Sequence, residues 1–121
     1  MTTSHLTDSK DLEIKNHKCF FVGGVKKNID NKEIAKGTMY VEQFTPKNHK
    51  ENLKIIFIHG GGQTGAGFLG TPDGRRGWVH DFLLAGFEVF VVDQPGRGRS
   101  GYSNKLYGCL LYTSDAADDG L

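Results

Sequence analysis

Two kinds of apolar pattern run along this chain. "CFFVGGV" (residues 19–25) is a short apolar run that stops at Gly23 and Gly24. "TMYVEQFTP" (residues 38–46) alternates, with Met39, Val41 and Gln43 on one side and Tyr40, Glu42 and Phe44 on the other. Both read as strands, the second closed by Pro46. The polar stretch "KKNIDNKEIAKG" between them reads as a long turn, so the two strands pair as an antiparallel hairpin. "LKIIFIHG" and "FEVFVVDQ" differ from these: residues 55–58 and 89–92 are apolar without interruption. That is the pattern of strands covered on both faces, as in a parallel sheet. Between them "RRGWVHDFLLAGF" has helical spacing, with Trp78, Phe82 and Ala85 on one face, Val79 beside them and Gly86 at the C-terminal stop. The prediction is an α/β fold. Adjacent parallel strands at residues 55–59 and 87–93 are joined by a helix near residues 75–85.

Of 17 glycines, 12 fall within residues 60–101, directly after the two continuous strands. Open parallel sheets bind ligands at the carboxyl ends of their strands. The glycine loop "HGGGQTG" (residues 59–65) therefore invites three readings. As a phosphate cradle, Gly60, Gly62 and Gly65 satisfy G-x-G-x-x-G, but "FLGTPDGRRG" delays the helix that should hold the phosphate. Ala66 stands where a Walker lysine belongs. As a plain turn, the loop needs only one or two glycines. As an oxyanion hole, it presents bare backbone N–H groups to the negative oxygen of an acyl-transfer transition state. Each such donor is worth about 3–4 kcal/mol.

Composition narrows the partners. A net charge of +1 gives no electrostatic case for nucleic acid or an anionic membrane. No apolar run approaches the length of a transmembrane helix. The polar N-terminus has no apolar signal core, which leaves the cytoplasm as the default compartment. Two cysteines, Cys19 and Cys109, and five scattered histidines form no disulfide framework and no metal-ligand spacing.

"IIFIHGGGQTG", "TPDGRRGW" and "VFVVDQPGRGRSG", in this order and spacing, resemble the amino-terminal part of an α/β-hydrolase. The likeness covers about residues 20–103. It is to a subgroup of bacterial and fungal esterase-like hydrolases carrying HG-x-x-x-TG, TPDGR-x-GW and DQ-x-GRGRS. The resemblance implies an incomplete α/β-hydrolase sheet, an antiparallel hairpin followed by a parallel strand–helix–strand unit. It also implies a serine-type carboxylic-ester hydrolase with a small ester-like substrate and no cofactor or metal. By that likeness Gly61 and Gly62 occupy the positions of the oxyanion-hole N–H groups. Amide, carbon–carbon and carbon–halogen cleavage are alternatives, since one fold hosts many chemistries. A nucleotide-binding module is the alternative from another class. Oligomeric state is not legible in the sequence.

The triad of such enzymes runs Ser, Asp or Glu, then His, all after the oxyanion loop. Asp93 and Ser100 invite that assignment, but residues 98–102 are not the G-x-S-x-G elbow. Both are expected to stabilise their own loop. Arg97 and Arg99 are expected to be solvated, as is His80. His59 is expected to order the glycine loop through backbone hydrogen bonds, and Trp78 to lie in the core. The nucleophile, acid and base are read as absent, and the chain as inactive by itself. Residues 1–17 read as a polar leader and residues 18–107 as the hydrolase portion. Residues 108–121 read as a non-native tail, because residues 109–119 resemble a translated sequencing-library adapter.

Overall fold

The computed structural model describes residues 11–108. Five strands come first: β1 (Ile14–Val22), β2 (Val25–Ile29), β3 (Lys32–Lys36), β4 (Met39–Pro46) and β5 (Lys54–Phe57). Helices α1 (Ala66–Leu69) and α2 (Trp78–Leu84) lead to β6 (Glu88–Asp93). A 3-10 turn (Gly98–Ser100) and α3 (Asn104–Tyr107) follow. β1, β4, β6 and β5 form one sheet in that order, and β2 and β3 form a separate hairpin. β4 is antiparallel to both β1 and β6, whereas β5 and β6 are parallel, with Ile55 beside Val89 and Phe57 beside Val91. The expected strand–helix–strand unit is present.

Several elements differ from the sequence reading. β1 begins at Ile14, so Ile14, Asn16 and His17 of the expected leader are paired in the sheet, and Val25 belongs to β2. The expected long turn is itself a hairpin. Asp30 and Asn31 form its two-residue loop with φ of 52° and 64°. Two successive left-handed residues match the twist of flanking strands, and Asp and Asn tolerate that region better than other side chains. The main helix spans Trp78–Leu84, shorter than residues 75–85. The adapter-like residues 109–119 lie outside the described residues.

Strand register assigns the faces. Residues directly opposite one another share a face, so Cys19, Glu42 and Val91 lie on one side, with Phe44, Val89, Ile55 and Phe57. α2 covers this side with Val79 and Leu83, four residues apart, and Phe82 packs beside them against Phe57. Leu83, Val89 and Val91 are fully buried there. This face differs from the expected one: Trp78, in the first turn, is 64% exposed, and Ala85 is exposed as well. β6, between β4 and β5, is covered on both sides as its continuous apolar pattern predicts. β5 is not: it is one of the two edge strands of the sheet, and Ile56 within it and Ile58 just after it are 59% and 62% exposed.

Candidate active site

The glycine loop leaves the carboxyl end of β5. Gln63 N–H donates to Gly60 O at 3.3 Å, which closes a four-residue turn around Gly61 and Gly62. Gly62 has φ of 72° at the third position of that turn, the left-handed value a type II turn requires there. The N–H groups of Gly61 and Gly62 have no protein acceptor among the described residues.

Both ends of the loop are clamped to the end of β6 and the residue after it. His59 is buried, and both of its ring nitrogens are occupied. Nδ1 donates to Gly60 O at 2.8 Å, and Nε2 accepts the Gln94 backbone N–H at 2.9 Å. These partners require the proton on Nδ1. The Gln94 side-chain amide donates as well, to His59 O at 2.7 Å. His59 therefore orders the loop, as expected, and offers no free nitrogen for proton transfer. At the other end, Gly65 N–H donates to Asp93 Oδ1 at 2.7 Å. A Cβ at residue 65 would lie 2.6 Å from Val91 Cγ1 and 2.8 Å from Val92 O, so only glycine fits.

Asp93 is fully buried and accepts more than one bond. Its Oδ2 takes the Arg99 backbone N–H at 2.7 Å and Arg99 Nε at 2.9 Å. Burial pushes the carboxyl up, but the hydrogen bonds from Arg99 and Gly65 outweigh it and hold Asp93 below the ordinary carboxylate value. Arg99 also donates from Nη1 to Glu42 Oε1 at 2.8 Å, and its guanidinium lies 4.4 Å from the Tyr40 ring centroid. Arg99 is thus a structural cation and not the solvated side chain expected, and its pKa is raised by Asp93. The Ser100 hydroxyl donates to Asp93 O and accepts the Tyr40 N–H at 2.8 Å. Asp93 and Ser100 are consumed in holding this loop, as expected of them.

The "TPDGRRGW" segment is self-bonded. Thr71 N–H donates to Arg75 O at 3.0 Å, and Arg75 N–H donates to Thr71 Oγ1 at 2.9 Å. Asp73 accepts from Thr71 Oγ1 and from Arg75 Nε. The segment borders a cavity of about 400 Å³ lined by Phe68, Thr71, Arg76, Trp78 and His80. A second cavity of about 530 Å³ is lined by Gly62, Gln63, Thr64 and Phe68. Phe68 lines both, so the exposed Trp78 ring, 6.3 Å from Phe68, sits on the rim of a surface continuous with the glycine turn. His80 is half-buried and 2.6 Å from Arg76 Nη1, not solvated as expected.

A helix does begin directly after the glycine loop: α1 starts at Ala66, earlier than the sequence reading placed any helix. It spans four residues, and the Asp93 carboxylate already occupies the Gly65 N–H. A fixed negative charge there opposes a phosphate.

Sequence reading missed Gln94 and the Glu42–Arg99 pair. Gln94 follows a continuous strand with nothing in its local pattern to mark a clamp. Glu42 lies 57 residues from Arg99, and only the pairing of β4 with β6 brings them together.

No protein-family model matches the chain. A curated fungal protein, "Probable secreted lipase phiG" of Fungal sp. (strain ATCC 74256), is 42% identical over 96 residues, which are 79% of this chain and 24% of that protein. A solved structure of a novel bacterial esterase matches 79% of this chain and 33% of its own, with a TM-score of 0.71 and 33% identity. The fold is that of part of an α/β-hydrolase sheet. In sequence and structure alike the chain resembles esterase-like members of that superfamily. It spans about a quarter of the length of the lipase and a third of that of the esterase.

Proposed function

We propose that this chain carries the oxyanion-binding part of a serine-type carboxylic-ester hydrolase, with the N–H groups of Gly61 and Gly62 as donors. One observation carries the reading: the two N–H groups stand on an exposed turn, without protein acceptors among the described residues, and the turn is clamped at both ends. When a nucleophile adds to an ester carbonyl, negative charge develops on its oxygen. Donors fixed in advance stabilise that charge without reorganising. The likeness to a lipase and an esterase supports a small ester as the substrate class.

In this reading the chain alone is inactive. No serine hydroxyl is bonded to a histidine among the described residues, and donors without a nucleophile do not open an ester. Residues 18–107 are the hydrolase portion, and residues 108–121 derive from an adapter. The test joins residues 1–107 to the natural continuation of the gene and assays a short-chain nitrophenyl ester. Turnover by the joined protein, with none above buffer by the 121-residue chain, is the expected result. An uninterrupted gene that encodes no G-x-S-x-G elbow after this segment, or a joined protein that leaves esters intact, would sink the proposal.

A further inference from the structure

On β1, residues 17 and 19 are two apart, so their side chains emerge on the same face. Glu42 is directly opposite Cys19 on β4, and His17 is opposite Phe44. The pairing therefore gathers an imidazole, a thiol and a carboxylate on one patch, and a donor atom from each lies within 4.8 Å of the other two. Several features already orient these donors. The His17 ring stacks on Phe44, with centroids 4.6 Å apart and planes 8° from parallel. That stacking accompanies a His17 Nε2 to Glu42 Oε2 contact of 2.7 Å. Arg99 grips the other carboxylate oxygen, Oε1, at 2.8 Å, leaving Oε2 toward the patch. Cys19 is exposed and forms no disulfide among the described residues.

We propose that His17, Cys19 and Glu42 form a binding site for a borderline-soft divalent cation, Zn²⁺ above all. One nitrogen, one sulfur and one carboxylate oxygen suit that ion's preference for mixed ligands. Tetrahedral zinc takes sulfur at about 2.3 Å and nitrogen and oxygen at about 2.0–2.2 Å, so the three donors close around the ion by side-chain rotation. Three protein ligands leave a fourth position open on the solvent side. Binding expels the thiol proton of Cys19 to solvent and transfers the Nε2 proton that His17 shares with Glu42, through solvent, to Nδ1; the His17–Glu42 hydrogen bond is then replaced by two bonds to the metal. Arg99 on Oε1 and Phe44 under the imidazole act as the outer shell that fixes ligand orientation. The sequence conceals this set because its third ligand lies 23 residues from the second and only cross-strand pairing joins them. The site is independent of the hydrolase proposal.

The test uses the full 121-residue chain with Co²⁺ as the spectroscopic probe and Zn²⁺ as competitor. One equivalent of Co²⁺ should produce a thiolate-to-cobalt charge-transfer band in the near ultraviolet, and Zn²⁺ should abolish it. Cys19→Ser should remove the band and weaken Zn²⁺ binding about 100-fold, at least what losing an outer-shell partner costs. His17→Gln should weaken it about 10- to 100-fold. Both side chains are exposed, and unchanged circular dichroism will show that the variants fold. Cys109→Ser should keep band and affinity. No band in the unaltered chain, a band that survives Cys19→Ser, or a band lost only with Cys109→Ser overturns the site.

Discussion

His59 and Gln94, on segments that leave two neighbouring parallel strands, are joined by two hydrogen bonds, both donated by Gln94. The Gln94 backbone donates to the imidazole, and the Gln94 side chain donates to the His59 carbonyl. A third bond, His59 Nδ1 to Gly60 O, extends the clamp into the glycine turn. Replacing the ring by an apolar side chain leaves the Gln94 N–H without a partner and the Gly60 carbonyl with only the 3.3 Å bond from Gln63 N–H. His59→Leu should therefore destabilise the fold by about 1–3 kcal/mol. Urea unfolding reads this as a lower midpoint at unchanged m-value. An unchanged midpoint would show that the imidazole is a passenger in the loop.

Acid should loosen the segment after β6. Burial pushes the Asp93 carboxyl up, and the Arg99 and Gly65 hydrogen bonds more than reverse this, so its native pKa lies below the value of the unfolded chain. Glu88 behaves alike: Thr45 and Gln43 outweigh the burial and lower it. A depressed carboxylate stabilises the fold fully above its unfolded value, about 4. That stability is lost as pH falls through the lower native value. Denaturant midpoints should be flat from neutrality to about pH 5 and fall below about pH 4. Asp93→Asn, which cannot titrate, should be less stable at neutrality and show a shallower acid limb. An equally steep limb in the variant would place the linkage on other groups.

Residues whose role is settled by neighbours in sequence were legible from the sequence. The parallel pairing of β5 with β6 follows from two unbroken apolar runs around a helical one. The loop roles of Asp93 and Ser100 follow from the absent elbow motif, and both make the expected loop bonds. Other features depend on partners far along the chain. Glu42 is held by Arg99 and His17, and nothing local in "TMYVEQFTP" distinguishes it from a solvated glutamate. Trp78 was misplaced because helical spacing alone allows either face. The buried stripe is set by where the sheet lies, which selects Val79 and Leu83. The β2–β3 hairpin was missed because Asp30 and Asn31 stand where the common Asn-Gly pair signals such a turn.

The outer edge of β5 should make the chain self-associate. An unfinished parallel sheet would leave Ile56, Ile58, Val89 and Val91 uncovered and the chain aggregating or molten. The two valines are fully buried, so a packed core exists, while both isoleucines stay exposed beside an unpaired strand edge. Association through that edge, more than loss of packing, is the expected behaviour. Sedimentation should show a mass that rises with concentration, and Ile56→Lys should keep the chain monomeric over the same range, because a charge on an edge strand opposes pairing. Equal association by the lysine variant would move the contact elsewhere.

The two glycines of the turn should separate backbone geometry from chemistry. Gly61 lies outside the left-handed region, and a Cβ there meets nothing within 4 Å. Gly62 has the same open surroundings but a φ of 72°, which costs an L-residue about 1–2 kcal/mol, more for a β-branched one. Gly62→Val should therefore flip or distort the turn, whereas Gly61→Ala should preserve it. In the protein joined to its natural continuation, a displaced donor no longer meets the oxygen that gains charge in the transition state. Loss of one such donor costs about 10²–10³ in kcat. Gly62→Val should fall in that range with KM nearly unchanged, because the interaction strengthens only as charge develops. Gly61→Ala should retain most of kcat, since it keeps both the N–H and the backbone that aims it. The urea midpoint of each variant controls for stability. A Gly62→Val enzyme with unaltered kcat would show that the turn is only a turn, and that ester chemistry in this protein draws its oxyanion donors from another segment.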